Sequence, residues 1–167
     1  WTIQAQKDGQ TATQTVEVEQ VGQLYTVEMA YFSATLTATA VAGATVTATC
    51  GETVVTGQAA GNGQAALEIK LPGNYVVQAL VSSSYGNASS NSQAVNVTDN
   101  GGSYTATVKF CRLTVTIDAG SAITVAKGDV SISLTGTGSD MIYLPSTGTW
   151  TVTASKDDLD ASAEVEC

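Results

Sequence analysis

The sequence predicts an all-β chain built from similar sandwich modules, and three observations support this prediction. Thr and Val alternate along much of the chain, as expected for strands with one buried face. Only 2 Pro occur, and glycines recur between the alternating stretches, which is typical of short strands joined by tight turns. An internal repeat shows that one strand plan is used more than once.

The first landmark of the repeat is an aromatic residue that opens an alternating strand. WTIQAQKD at residues 1–8 aligns without a gap with WTVTASKD at residues 150–157. A further copy begins at Tyr75, so that Trp1, Tyr75 and Trp150 are 74 and 75 residues apart. This spacing gives the length of one module, and the three aromatic side chains are expected in a core or at a junction between modules.

The second landmark is a tyrosine that precedes a longer alternating stretch. YTVEMAYFSATLTA at residues 25–38 aligns with YTATVKFCRLTVTI at residues 104–117, at an offset of 79 residues. The two landmarks are 24 residues apart in the first copy and 29 apart in the middle copy. The middle copy therefore carries about five extra residues within the polar stretch 82–91, which predicts a lengthened loop.

These landmarks divide the chain into three parts. Residues 1–22 predict the terminal hairpin of a truncated module, whereas residues 23–100 and 101–167 predict two complete modules. The predicted strands of the middle module are residues 34–40, 45–50, 53–58, 65–71, 74–82 and 93–98, and those of the last module are 113–118, 123–127, 129–134, 141–144, 149–155 and 161–167. The first hairpin is expected either to be the end of a fragment of a longer repeat protein, which we favour, or to complete another subunit by strand addition.

Short strands at this spacing predict tandem immunoglobulin-like β-sandwiches. The inward positions of each strand exchange among Val, Ile, Leu and Ala between copies, and this identifies the core. The predicted core of the middle module comprises Leu36, Val46, Ala48, Leu67, Ile69, Tyr75, Val77, Val95 and Val97.

The module also resembles known families. Its strand order, with PGNY at residues 72–75 and TGTW at residues 147–150, resembles the carboxypeptidase-regulatory and Cna protein B-type sandwiches, which are transthyretin-like members of the immunoglobulin-like folds. The strings at residues 31–38 and 148–154 resemble repeats in surface and phage tail or fibre proteins of gut Firmicutes. The resemblance implies a role as a stalk, spacer or adhesin.

Charge and cysteine content narrow the possible partners and compartments. A net charge of −9 repels phosphate backbones, so nucleic acid is not expected as a partner, and no stretch has the length of a membrane span. Cys50, Cys111 and Cys167 are odd in number and far apart, so all three are expected to be free thiols, as suits assembly in a reducing cytoplasm.

The sequence offers no catalytic constellation. It contains 0 His, which removes the commonest general base and metal ligand, and Gly61 to Gly63 form a turn rather than a phosphate loop. We therefore predict that the protein is not an enzyme and has no catalytic residues. No cofactor is expected, although Asp157, Asp158 and Asp160 are a weak candidate calcium site, against the alternative of a solvated acidic turn.

For binding, the inserted stretch of the middle module is the main candidate. Tyr85 is the one aromatic residue expected on the surface, and it could contact a cell-surface glycan together with the neighbouring Asn87. Open edge strands also favour self-association or contacts with neighbouring modules.

The predicted function is a non-enzymatic structural or adhesive repeat protein in a virion or at an extracellular or cell surface. A phage virion fibre or tail appendage is the first hypothesis. A bacterial cell-surface adhesin or stalk and a carbohydrate-binding accessory module are the alternatives.

Overall fold

The computed structural model describes residues 1–7, 9–83 and 85–167, and in these the chain forms sixteen β-strands and no helix, which confirms the all-β prediction. Asp8, which belongs to the first repeat landmark, lies outside the described residues. Among the described residues, no helical segment has the length and hydropathy needed to cross a membrane. The strands are β1 (Thr2–Lys7), β2 (Gln10–Thr15), β3 (Ala34–Thr39), β4 (Thr45–Cys50), β5 (Thr53–Gln58), β6 (Gln64–Ile69), β7 (Gly73–Ser83), β8 (Gly86–Ser89), β9 (Gln93–Val97), β10 (Ser103–Thr107), β11 (Cys111–Thr116), β12 (Ala122–Lys127), β13 (Val130–Thr135), β14 (Ser139–Leu144), β15 (Thr149–Lys156) and β16 (Leu159–Glu166).

Alternation of side chains explains why these segments form strands with one buried face. In β7 the odd-numbered positions Tyr75, Val77 and Ala79 are buried, whereas the intervening Val76 and Leu80 are exposed. Successive side chains of a strand point to opposite faces, so a period of two buries one set. The β-branched and aromatic residues on the buried set suit a pleated surface.

Residues 34–108, hereafter the middle region, form two sheets around one hydrophobic core. One sheet has the order β10-β3-β6, in which β10 runs parallel to β3 and β6 runs antiparallel to it. The other has the order β5-β4-β7, and β7 then pairs with β9 along its first half and with β8 along its second half. The buried side chains of both sheets meet in a single cluster.

The predicted core of the middle region is confirmed at eight of nine positions. Leu36, Val46, Ala48, Leu67, Ile69, Tyr75, Val77 and Val97 are buried in this cluster. Val95 is half-buried and packs against the edge of the cluster instead.

Residues 111–167, hereafter the last region, repeat most of this plan with fewer strands. One sheet contains only β11 and β14, and the other has the order β13-β12-β15-β16. Its core comprises Ile123, Val125, Ile132, Ile142, Leu144, Trp150 and Ala154. No strand equivalent to β10 accompanies β11 among the described residues, so β11 pairs on one side only.

Residues 1–31, hereafter the N-terminal segment, contain the predicted hairpin. β1 and β2 pair antiparallel with Thr2 opposite Thr15, and the backbone of Trp1 exchanges two hydrogen bonds with Val16. Trp150 lies opposite Val165 in β15 and β16, which is the same register after the repeat offset of 149 residues. Two copies of the hairpin therefore share one geometry, and the predicted first hairpin is confirmed.

The extra residues of the middle copy do not form the lengthened loop that the sequence predicts. They extend the hairpin instead, because β7 continues to Ser83 and pairs with β8, with Leu80 opposite Ser89. The strand then breaks at residues 90–92, where the Ser90 hydroxyl accepts a 2.8 Å hydrogen bond from the backbone N–H of Ala79. The alternation in the sequence is too short here to distinguish a strand from a polar loop.

The middle core extends beyond the predicted division between residues 100 and 101. β10 pairs with β3, with Tyr104 opposite Leu36, and Ala106 and Val108 are buried in the middle cluster. β10 therefore lies in the middle region and not in the last region to which the sequence assigned it. Its parallel pairing joins strands far apart in the chain, which sequence alternation alone does not reveal.

The expectation of three free thiols is wrong for two of the cysteines. Cys111 and Cys167 form a disulfide with a Cα–Cα distance of 5.8 Å, and Cys50 alone is free. Cys111 is the first residue of β11 and Cys167 follows β16, so the bond ties the two ends of the last region together. The two cysteines are 56 residues apart in the sequence and meet only because the sheets close.

Candidate functional site

The residues predicted to bind a partner lie at one hairpin tip of the middle region. Tyr85 occupies the turn between β7 and β8, is 36 % exposed, and donates its backbone N–H to the Ser83 hydroxyl at 3.2 Å. Asn87 follows in β8 and is exposed. β8 also lies against β14 of the last region, so this tip borders the joint between the two regions.

The acidic residues proposed for calcium are not gathered into a site. Asp157 and Asp158 form the turn between β15 and β16, whereas Asp160 lies in β16 opposite Ser155. Among the described residues, no group of three or more His, Cys, Asp or Glu side chains could hold a metal ion. The three side chains therefore do not converge on one point.

The joint between the middle and last regions has no flexible linker. β10 ends at Thr107 and β11 begins at Cys111, so one extended stretch of chain contributes a strand first to the middle region and then to the last. Lys109 lies between them, where its carbonyl accepts a hydrogen bond from the Asn91 N–H at 2.9 Å and its N–H donates to Asn91 Oδ1 at 2.6 Å. Both polar groups of the connecting backbone are thus fixed to the middle region.

Aromatic packing adds to this joint. The rings of Phe110 and Tyr143 meet edge to face with centroids 5.8 Å apart, which is a favourable arrangement for aromatic pairs. Tyr143 belongs to β14 of the last region, yet it packs against the hydrophobic cluster of the middle region. An open cleft of about 500 Å³ runs beside the joint and includes Thr39, Val41 and Arg112 in its lining.

A similar joint connects the first hairpin to the middle region. Gln10 at the start of β2 is buried, and its Nε2 donates to the carbonyl oxygen of Phe32 at 3.1 Å. The hairpin tip and residues Glu68 and Lys70 line one cleft, which places the tip beside the end of β6. β14 is the equivalent of β6, so both joints place a hairpin tip of one unit beside the same strand of the next.

A tyrosine anchors the turn that leads into each joint. The Tyr104 hydroxyl oxygen accepts backbone N–H groups from Thr98 at 2.9 Å and from Asp99 at 2.7 Å. The Tyr25 hydroxyl accepts the backbone N–H groups of Glu19 and Gln20 at 3.0 and 3.1 Å. In both cases the donors lie six and five residues before the tyrosine, as in the tyrosine corner of immunoglobulin-like sandwiches.

These hydrogen bonds also change the acidity of the anchor. The pKa of Tyr104 is lowered, first by the side-chain hydrogen bond with Thr98 and next by the backbone N–H of Asp99. Donors to the phenolic oxygen stabilise its charged form, which is the physical cause of the shift.

The recurring aromatic landmark is a core residue with a polar edge in both regions. Tyr75 donates its hydroxyl to the Leu71 carbonyl at 2.9 Å, and Trp150 donates Nε1 to the Ser146 carbonyl at 3.1 Å, each four residues earlier. The pKa of Tyr75 is raised by burial and secondarily by the nearby Cys50. The expectation of a core position is therefore confirmed for Tyr75 and Trp150.

The residues that neighbour these aromatic side chains differ between the regions. Lys127 stands where the middle region has Cys50, and its Nζ lies 5.9 Å from the centroid of the Trp150 ring. The Lys127 ammonium also donates to the Thr147 carbonyl, so it holds the turn that precedes β15. A cation over an indole face is favourable, so Lys127 combines turn binding with a cation–π contact.

Comparisons with known proteins leave the family open. No protein-family model and no curated protein sequence matches the chain. A solved structure entitled "The Bacillus anthracis TIE protein" is similar with 14 % identity and a TM-score of 0.34. The match covers 81 % of this chain, which spans only 31 % of that protein.

The sequence offered a signal for one feature that it was not used to predict. Tyr25 and Tyr104 recur at the second repeat landmark, and a tyrosine kept at a turn indicates a hydroxyl with a fixed partner. The joints themselves depend on which strands meet, and no single residue pattern announces them.

Proposed function

We propose that the protein is a non-enzymatic structural repeat protein in which tandem immunoglobulin-like sandwich modules form a stiff stalk or spacer. The linkerless joint carries this proposal. A chain that only tethered two modules would use a flexible connection, whereas residues 108–110 are fixed by hydrogen bonds to Asn91 and by the Phe110–Tyr143 contact. Stiffness at each joint is what a protein needs to hold a terminal module away from a surface.

The disulfide favours an extracellular stalk over a fibre assembled in a reducing cytoplasm. Disulfides persist in oxidising environments and are rare in the cytosol. The earlier preference for a virion fibre rested on unbridged thiols, and the Cys111–Cys167 bond removes that support. We therefore place a bacterial cell-surface stalk or adhesin first and a virion fibre or tail appendage second.

A distance measurement tests the stiffness of the joint. Spin labels on cysteines placed at the exposed positions Val54 and Val130, in a Cys50→Ser background, report the distance between the regions by pulsed electron resonance. We expect a narrow distribution, and a broad one after Gly-Gly-Ser is inserted between Lys109 and Phe110. A natural joint as broad as the insertion variant would refute the stalk proposal.

Thiol counting tests the compartment. Protein isolated from its native source under alkylating conditions should carry one alkylated thiol, at Cys50, and an intact Cys111–Cys167 bond. Three alkylated cysteines would return the cytoplasmically assembled fibre to first place.

A further inference from the structure

The N-terminal segment exposes side chains that are core residues elsewhere in the chain. Trp1 is 83 % exposed, whereas its repeat equivalents Tyr75 and Trp150 are both 0 % exposed. Val18 is 47 % exposed, whereas its equivalent Val97 is 0 % exposed. Apolar side chains that are buried in the other copies gain stability when they leave water.

The same segment also contains a stretch with the pattern of β10 but without its pairing. Residues 25–31 show the alternating exposure of β10 and belong to no sheet of the described structure. Val27 and Met29 are half-buried, whereas the equivalent Ala106 and Val108 are 2 % and 4 % exposed in the middle core. β10 owes its burial to parallel pairing with β3, and residues 25–31 have no such partner in the described chain.

We propose that the N-terminal segment is an interaction surface that completes a further sandwich, and that its partner is a set of strands of the β11–β14 type from another repeat unit. This rests on the proposed repeat architecture. The two other copies of the segment show what covers it, because β15 and β16 close on β11–β14 and β7 to β10 close on β3–β6. The surface is continuous with the joint that Gln10 makes with Phe32.

The repeat register specifies how this partner binds. β12 pairs antiparallel with β15, with Ala126 opposite Thr151. Thr2 is the equivalent of Thr151, so the free edge of β1 accepts the corresponding strand of the partner at Thr2. The first strand of the partner in turn accepts residues 25–29 in parallel, with Tyr25 opposite an apolar side chain, as Tyr104 lies opposite Leu36.

The partner must also satisfy the indole N–H of Trp1. Both equivalents of this residue donate to a backbone carbonyl, at 2.9 Å from Tyr75 and 3.1 Å from Trp150. A buried donor without an acceptor is costly, so the partner contributes a turn with a free carbonyl over the ring.

A chain extension tests the proposal directly. Residues 109–149 of this chain are duplicated ahead of Trp1 in the full-length protein, so that Thr149 of the added copy precedes Trp1 as it naturally precedes Trp150. Trp150→Tyr leaves Trp1 as the single indole, because the chain has 2 Trp and the added residues have none. We expect blue-shifted emission and weaker acrylamide quenching of Trp1 than in the unextended Trp150→Tyr chain. Solvent-like emission in the extended chain would overturn the proposal.

A matched control and a covalent readout complete the test. Ile142→Asp in the added copy alone disrupts its core and should return Trp1 to solvent, while hydrogen exchange confirms that the original regions stay folded. Val18→Cys places a thiol at the position of Cys167, and it should form a disulfide with Cys111 of the added copy. Absence of that bond under oxidising conditions would equally overturn the proposal. Neither readout depends on the stiffness of the joint at residues 108–110, so this proposal and the proposed function can fail separately.

Discussion

The middle and last regions share a strand plan but close it by different means. The middle cluster contains eighteen buried hydrophobic residues and the last cluster seven, so burial stabilises the middle region far more. The middle region gains β10 as an additional strand, whereas the last region gains the Cys111–Cys167 disulfide. The disulfide lies where the middle region has Phe32 and Val97, so a covalent bond replaces apolar packing at one position of the repeat.

The comparison shows how a repeat tolerates a small core. Small domains bury too little surface to be stable on packing alone, and a cross-link compensates by restricting the unfolded chain. Each of the following substitutions acts on one region, so hydrogen exchange measured on peptides from each region separates the effects.

The largest effect is expected from truncating the aromatic landmark in each region. Trp150→Ala and Tyr75→Ala each remove a fully buried ring and should lower the free energy of unfolding by about 3–5 kcal/mol. The last region has the smaller core, so Trp150→Ala should remove exchange protection from β12, whereas Tyr75→Ala should leave β4 protected. Tyr75→Trp and Trp150→Tyr are the matched controls. Equal loss of protection in both regions would contradict the comparison.

Removing the disulfide is the next largest effect. Cys111→Ser with Cys167→Ser should destabilise the last region by about 2–4 kcal/mol and leave the middle region unchanged. Cys50→Ala is the matched control, because Cys50 is free and lies in the middle region. The melting temperature of the last region, followed by hydrogen exchange with increasing temperature, measures the effect. A last region that melts unchanged without the bond would show that its seven-residue core suffices.

The strands and most of the core follow from the sequence because they depend on local alternation. Leu36, Val77 and Val97 are buried where a period of two places them. The parallel docking of β10 and the meeting of Cys111 with Cys167 depend instead on how the sheets close, and widely spaced cysteines carry no local sign of pairing. The candidate surface was partly predictable, since the uncovered hairpin follows from the repeat, but its joints do not.

The tyrosine anchor gives a smaller and more selective effect. Tyr104→Phe removes the oxygen that accepts the N–H groups of Thr98 and Asp99, and it should destabilise the middle region by about 0.5–1.5 kcal/mol. The last region has no such anchor in the described chain and should be unaffected. Tyr25→Phe is the matched control, because Tyr25 anchors only the N-terminal segment. Loss of protection in β10 peptides measures the effect, and equal losses from both variants would show that the anchor does not hold β10.

The smallest effect concerns the hairpin turn of the last region. Asp158 has φ of +61° and its equivalent Gly9 has φ of +78°, a conformation that glycine adopts without strain. Asp-Gly is a favoured pair in two-residue hairpin turns, so Asp158→Gly should stabilise the last region by about 0.5 kcal/mol. The reciprocal Gly9→Asp should weaken the first hairpin and leave the last region unchanged. Chemical denaturation followed by Trp150 fluorescence in a Trp1→Phe background measures the change. A gain would narrow the difference between the two regions without the disulfide or the core being altered, whereas a loss would show that the Asp158 side chain contributes a contact that outweighs the backbone strain.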